Sequence, residues 1–373
     1  MAISKVLITG GAGFLGSHLA DALLAAGYRV RALDDLSPQV HGEGRRRPAY
    51  LAADVELMIG DVRDPLAVRA ALDGVDAVVH YAARVGVGQS MYEPAEYTSV
   101  NNHGTAVLLE ALVRRPVARL VVASSMSVYG EGYYQDRGGS IVAGSERSLA
   151  QLQEGEWELR DAGGAPMEPM PTDEGKPPAL ASIYALSKFD QERMCLMTGR
   201  AYDFPVVALR FFNVYGPRQA LSNPYTGVLA IFGARLLNDK PPLLFEDGRQ
   251  QRDFVSVHDV ARAGRLALEV PAGGGGVFNI GSGVSRTVLE VAEQMAAALG
   301  KPHLRPEVLG RARAGDIRHC FADITRARRV LGYEPQISFE QGLAELIPWL
   351  ARERAIDRVE QMHAELSSRG LTL

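Results

Sequence analysis

Cysteine is almost missing from this chain. Cys195 and Cys320 are the only two among 373 residues, too few for a disulfide framework or a cysteine-ligated zinc site. Charge of one sign is missing too. A formal net charge of −4 gives no electrostatic case for nucleic acid or an anionic membrane as a partner. A local basic run, Arg45 to Arg47, reads as a solvated loop. No apolar stretch approaches the ~20 residues of a membrane span, and the chain passes directly into a strand pattern without a targeting segment. The remainder is ordinary for a globular α/β protein, with 47% hydrophobic and 23% charged residues. These absences point to a cytoplasmic protein with no metal site.

The stretch that organises the rest is Ile3 to Gly16, ISKVLITGGAGFLG. Val6, Leu7 and Ile8 read as a buried parallel strand. Gly10, Gly13 and Gly16 then recur every third residue as a helical pattern begins with Leu15, Leu19 and Leu23. Such glycines allow a tight turn, close approach of the backbone to a pyrophosphate, and close packing of helix on strand. The helix N-terminus supplies free N–H groups and a positive dipole end for the diphosphate. A glycine triplet alone could be a simple turn. Here the next strand, YRVRALDD, ends in Asp34 and Asp35, about 20 residues on, where a ribose 2′-hydroxyl is gripped. The two acids would repel a 2′-phosphate, so the pattern implies NAD rather than NADP.

Strands and helices keep alternating beyond this unit. VELMIGD ends at Asp61, which with Val62 reaches the carboxyl edge near an adenine ring. Pro65–Leu72 reads as a helix, VDAVVHYAA as a strand emptying into a small-residue loop, and Tyr97–Leu112 as one long helix carrying Asn101. RLVVASS and VVALRFFNVYG follow as two more strands. The expected fold is an α/β Rossmann-type doubly wound parallel sheet, spanning residues 1–212. The mixed elements of 213–373 suit a smaller substrate-binding lobe, with some segments returning to the sheet. They include a helix at Gly227–Leu237, a glycine-only loop at Gly273–Gly276 and the helix VLEVAEQMAAALG.

One segment breaks the rhythm. Residues 131–175 show little periodicity and many Gly, Pro, Glu and Arg, and loops above ~15 residues are usually functional or disordered. Its apolar residues are too sparse for an independent core, so it is expected to be a mobile surface excursion, with a substrate lid or subunit contact as the alternatives. It contains no Cys or His, which excludes a zinc knuckle.

Tyr184 and Lys188 form Y-x-x-x-K within the helical stretch SIYALSKFDQERMC. The i, i+4 spacing puts phenol and ammonium on one face, where the cation favours phenolate and draws the tyrosine toward neutrality. A positioned phenolate can take a proton from a sugar hydroxyl as hydride leaves. Ser124 and Ser125 end the fifth strand at the same sheet edge.

Together these motifs resemble the extended short-chain dehydrogenase/reductases, in particular the nucleotide-sugar epimerases and dehydratases. The resemblance runs through TGGAGFLG, LDDLS, GDVRD, HYAA, SVNNHGT, SSMSVYG, YALSK, LRFFNVYGPRQ, RDFVSVHDV and GDIRHCFADITRARRVLGYEP. It implies NAD contacts from Gly10, Gly13, Phe14, Leu15, Gly16, Asp34, Asp61, Val62, Ala82, Ala83, Asn101, Tyr184, Lys188 and Phe212. It further implies a catalytic set of Ser125, Tyr184 as acid/base, and Lys188. Asn213 and Arg252 would hold the diphosphate of a nucleotide-diphosphate sugar, and Asp316 its nucleoside ribose. Cys320 would lie beside the sugar, or be a buried structural cysteine. The phrase LSPQVHG and the long insert are similar to a subgroup that includes dTDP-L-rhamnose 4-epimerases. The implied activity is C4 epimerisation by a homodimer; a 4,6-dehydratase and a non-catalytic NAD sensor are the competing readings. Dehydratases of this family carry an Asp-Glu pair where this chain has Met126 and Ser127.

Overall fold

A computed structural model describes residues 3–221, 227–270, 276–313, 315–353, 357 and 359–372. Seven parallel strands build its main sheet: β1 (Lys5–Thr9), β2 (Arg29–Asp34), β3 (Glu56–Ile59), β4 (Ala77–His80), β5 (Arg119–Ser125), β6 (Val206–Phe211) and β7 (Gly276–Ile280). Their order is β7-β6-β5-β4-β1-β2-β3. The winding therefore reverses at β1, which lies between β4 and β2, and a crevice opens there at the carboxyl edge. Successive residues of β1 serve opposite faces, as strand geometry requires. Val6 and Ile8 join a core with Leu19 and Leu23 of α1 (Phe14–Ala25), while Leu7 joins another with Val68 and Leu72 of α2 (Pro65–Leu72). The second core also takes Leu108 and Leu112 of α3 (Gly104–Arg114) and Cys195 of α4 (Ile183–Ala201). The first receives Val260, Ala263 and Ala267 of α5 (Val257–Glu269).

The helix expected over Tyr97–Leu112 is not continuous. A short helix at Pro94–Tyr97 passes into a π-helical turn at Thr98–His103 before α3 begins. Wider turns of this kind re-aim side chains and gather at functional sites. The sixth strand is also shorter than expected. β6 stops at Phe211, and Asn213–Tyr215 joins a second sheet beside Gln251–Ser256. That sheet gains Ser285–Thr287 and His319–Cys320, over a core that includes Phe232, Val291, Met295 and Leu346. The helix expected at Gly227–Leu237 spans Val228–Leu237. Of the glycine-only loop, 273–275 lie outside the described residues and Gly276 opens β7.

The insert, expected as a surface excursion, has regular structure of its own. It forms a three-stranded antiparallel sheet of Ile141–Ala143, Tyr133–Gln135 and Glu168–Met170. Ile141 and Leu149 are indeed exposed, so no independent apolar core exists. Buried charge anchors it instead. Arg318, fully buried, donates to Glu246 at 2.9 Å, Asp247 at 2.6 Å and the insert's Glu158 at 3.1 Å. Arg147 of the insert pairs with Glu246 at 2.8 Å. Glu131 accepts from the Tyr134 hydroxyl and from the backbone N–H groups of Arg318 and His319. Ion pairs leave no periodic trace in a sequence, which is why the spacing of apolar residues missed this anchorage.

Removing one partner of such a buried network strands the others. Arg318→Ala should lower stability by about 3–5 kcal/mol, while a paired Arg318→Met, Glu246→Gln change should lose less. Urea unfolding measures both, and a loss in the single variant below about 1 kcal/mol would show that the network does not hold the insert.

Candidate active site

The glycine loop closes the end of β1 against the loop after β4. Gly10 has φ of +69°, and a Cβ there would lie 2.9 Å from the Ala82 backbone nitrogen. A Cβ on Gly16 would overlap the Gly10 carbonyl, so α1 can approach β1 only without one. Gly13 caps α1 with no side-chain acceptor, leaving its first N–H groups available to an anion.

One continuous cavity follows this edge of the sheet. Gly10, Gly13, Phe14, Leu15, Gly16, Asp34, Asp35, Asp61 and Val62 wall one end, and Tyr81 to Arg84 its middle. Ser125, Tyr184, Lys188, Phe212 and Asn213 wall the other end. The acids are held firmly. Asp34 accepts from the Ala12 and Leu36 N–H groups, each at 2.9 Å. Burial and the neighbouring Asp34 charge push the Asp35 carboxyl above its usual range. Arg63 grips Asp61 and holds its carboxyl below the usual range. An uncapped helix, a glycine cradle and a fixed carboxylate fit the diphosphate and adenosine ribose of a dinucleotide.

Asn101 stands apart from the other expected cofactor residues. It was expected to touch the cofactor, yet it does not line the cavity. Its side chain is wholly buried, accepts from the Arg84 N–H at 2.7 Å, and donates to the Arg84 carbonyl and to Ser187 Oγ at 2.8 Å. The π turn aims it at the loop behind the cavity, so it positions that loop.

At the other end, α4 starts where Ser182 Oγ accepts from the Ala185 N–H at 3.1 Å. Ser90 Oγ accepts from the Tyr184 N–H at 3.0 Å. Burial pushes the Tyr184 phenol above its ordinary value, and a hydrogen bond with Ser125 pulls it partly back. The expected lowering by Lys188 is absent for a physical reason. Burial brings the Lys188 ammonium itself down to about 7, and its Nζ donates to Gln191 Oε1 at 2.7 Å. Ser127, which the motif left unassigned, donates from Oγ to Ser125 Oγ at 2.8 Å. Two further partners escaped the sequence. Glu192 accepts from Ser124 Oγ at 2.6 Å and from Arg210 at 2.6 and 2.9 Å. The repeat of polar residues at 184, 188 and 192 was their only available signal.

The expected substrate ligands divide. Asn213 lines the cavity, and its buried Oδ1 has no hydrogen-bond partner, leaving an acceptor for a ligand. Arg252, Asp316 and Cys320 form a neighbouring cluster in the second lobe and do not line the cavity. Arg252 donates to the carbonyls of Gln251, Ile317 and Arg318, and its guanidinium lies 3.8 Å from Asp316. Phe254, two residues further along the same strand face, does reach the wall. Cys320 also stands away from the cavity wall. It is 1% exposed, packs in the first core, and burial pushes its thiol up to about 12. Of the two readings of Cys320, these surroundings suit the buried structural cysteine.

Comparison with known proteins agrees with this geometry. Residues 6–150 and 161–281 match the NAD dependent epimerase/dehydratase family. The chain belongs to that family. A dTDP-L-rhamnose 4-epimerase of Burkholderia thailandensis is 39% identical, over 94% of this chain and 95% of that protein. The UDP-glucose 4-epimerase of Thermotoga maritima, solved with UDP-glucose, superposes with a TM-score of 0.76 at 30% identity, covering 93% of this chain and 99% of that one. The Thermus thermophilus UDP-glucose 4-epimerase, solved with NAD, gives 0.74 at 32% identity and covers 94% and 100%. Among the described residues no helix is long and apolar enough to cross a membrane, and no cluster of His, Cys, Asp or Glu could hold a metal ion.

Lys188 carries a stability consequence that can be measured. Its native pKa of about 7 lies below the ordinary 10.5. Below pH 7 it is charged in both states and the burial penalty is fully present. Between 7 and 10.5 the native state sheds a proton that the unfolded state keeps, so stability rises with pH. Lys188→Met should therefore raise the thermal midpoint of cofactor-free protein most below pH 7 and least near pH 10. A gain independent of pH would contradict the assignment.

Proposed function

We propose that this chain is an NAD-dependent 4-epimerase of nucleotide-diphosphate sugars. The observation that carries the reading is the chemistry of the cavity's far end: hydroxyls, one phenol and one amine, with no carboxylate among the described residues there. NAD, when bound, supplies hydride acceptance from the C4 carbon and return of that hydride. The chain's own residues do the rest. Tyr184 takes the proton of the 4-hydroxyl and later gives it back. Ser125, oriented by Ser127, hydrogen-bonds the same sugar oxygen, and Lys188 holds the nearby ribose. Asn213, with Arg252 and Asp316 from the second lobe, anchors the nucleotide diphosphate while the ketosugar turns over.

Water elimination across C5 and C6 needs a base and an acid beside those carbons. Met126 cannot transfer a proton, and Ser127 is committed to Ser125. The cavity's carboxylates, Asp34, Asp35 and Asp61, all stand at the opposite end. The insert, an alternative source of acid, has Glu131 and Glu158 bound into the Arg318 and His319 network. A 4,6-dehydratase is disfavoured on these grounds. A non-catalytic sensor would have no use for the serine–tyrosine–lysine set. The 39% identical relative favours a dTDP-linked sugar over a UDP-linked one. Two free, buried cysteines suit a reducing, cytoplasmic compartment. Leu186 and Met197, both exposed and eleven positions apart on one face of α4, support a homodimer; a monomer in sedimentation experiments would contradict that assembly.

Turnover in deuterated water should leave every carbon-bound position of the product unlabelled. Tyr184→Phe should reduce kcat by about 10²–10⁴-fold. Deuterium at C5 or C6 would overturn the 4-epimerase reading, and full activity of the phenylalanine variant would remove Tyr184 from the mechanism.

A further inference from the structure

We propose that Arg84 is a cofactor-retaining residue that ties the loop after β4 to the loop after β2 across the mouth of the dinucleotide cradle. The proposal rests on the NAD reading above. The backbone of Arg84 is fixed on both sides by Asn101, which accepts from its N–H at 2.7 Å and donates to its carbonyl at 3.1 Å. From that fixed point the guanidinium reaches across to the other loop. Nη1 donates to Ser37 Oγ at 3.1 Å and to Gln39 Oε1 at 3.2 Å. Nε and Nη2 donate to Glu96 at 3.3 and 3.1 Å.

Sheet order gives this bridge its meaning. β4 and β2 are the two neighbours of β1. A link between the loops that follow them must pass over the carboxyl end of β1, where the glycine cradle lies. Arg84, Ser37 and Gln39 line the same cavity as that cradle and as Asp35. A dinucleotide on the Gly10–Gly16 loop is therefore enclosed by the tie, and leaves only when the Ser37–Gln39 loop lifts. Arginine suits the task because its planar fork serves three acceptors on two segments together, whereas a lysine ammonium is a single point. Its charge also faces Asp35 and offsets part of the repulsion between that acid and Asp34. An epimerase regenerates its cofactor in each turnover, so slow release fits the chemistry.

The test uses full-length protein loaded with NAD. Exchange of bound NAD against isotopically labelled NAD is followed by mass spectrometry, alongside the fraction of NAD surviving gel filtration. Losing the tie's charge-assisted bonds should speed exchange about tenfold or more in Arg84→Ala. Arg84→Lys should fall between it and the parent, and Ser37→Ala should accelerate exchange more modestly. Ser37→Ala removes one acceptor and little else, so it keeps the test decisive should Arg84→Ala fold poorly. Exchange within about twofold of the parent in folded Arg84→Ala and Ser37→Ala variants would overturn the proposal. A parent protein that binds no NAD would instead overturn the cofactor reading beneath it.

Discussion

The catalytic end depends on one buried ion pair. Arg210 of β6 and Glu192 of α4 meet at 2.6 and 2.9 Å, both nearly inaccessible, and Ser124 at the end of β5 donates to the same carboxylate. Tyr184, Lys188 and Glu192 follow one another at intervals of four, so they share one face of the helix. The face that presents phenol and amine to the cavity is thereby bolted to two strands of the sheet. Arg210 also stands 4.8 Å above the Tyr129 ring, fixing the 3-10 turn that brings Ser127 against Ser125. A well-packed apolar pair could give as much stability. An ion pair is directional as well, and loss of either partner leaves a stranded charge at a loss of about 3–5 kcal/mol.

Burial then sets the proton chemistry. Outside the Arg210–Glu192 pair it disfavours the charged forms at this end. Tyr184 is pushed up, Lys188 is pulled down to about 7, and His80 behind them is pulled down to about 3 and stays neutral. Gln191 links the two interior groups. It accepts from Lys188 Nζ, and its Nε2 lies 2.9 Å from Thr105 Oγ1 and 3.2 Å from the His80 ring. At the opposite end Arg63 holds the Asp61 carboxyl below its usual range, while burial and the Asp34 charge push Asp35 above its own.

The sequence was legible where structure follows from local spacing. The glycine triplet, the alternation of β-prone and helical stretches, Pro65–Leu72 and the Y-x-x-x-K face each depend on residues close together in the chain. For that reason the residues expected to hold the cofactor, Asn101 apart, line one cavity. What was illegible depends on pairs distant in sequence. Arg210 with Glu192, Asn101 with Arg84, and Arg318 with Glu158 and Glu246 carry no periodicity. The π turn is a local feature, yet a wider turn has no residue signature comparable to a glycine at positive φ. The depth of Cys320 was illegible for another reason: position within a motif says nothing about burial, and this thiol is 1% exposed.

Apolar cores underlie both halves of the molecule, and buried ion pairs are added to each. The cofactor half relies on apolar layers over a parallel sheet and on close backbone approach. The segment carrying Asp316 and Arg252 is set by ions drawn from remote parts of the chain. Arg147, from the insert, donates to the Asp316 carbonyl at 3.2 Å while pairing with Glu246. Arg313 and Arg252 then hold the Asp316 carboxyl below the usual range against the burial that would raise it. In this arrangement the insert has a structural logic that its composition concealed: its charges complete a network that would otherwise leave Arg318, Glu246 and Asp247 short of partners. Rotation of a ketosugar requires a firm grip at the nucleotide and freedom at the ring. The ionic cluster of Arg252, Arg313 and Asp316 stands beside a cavity end walled by hydroxyls and aromatic rings.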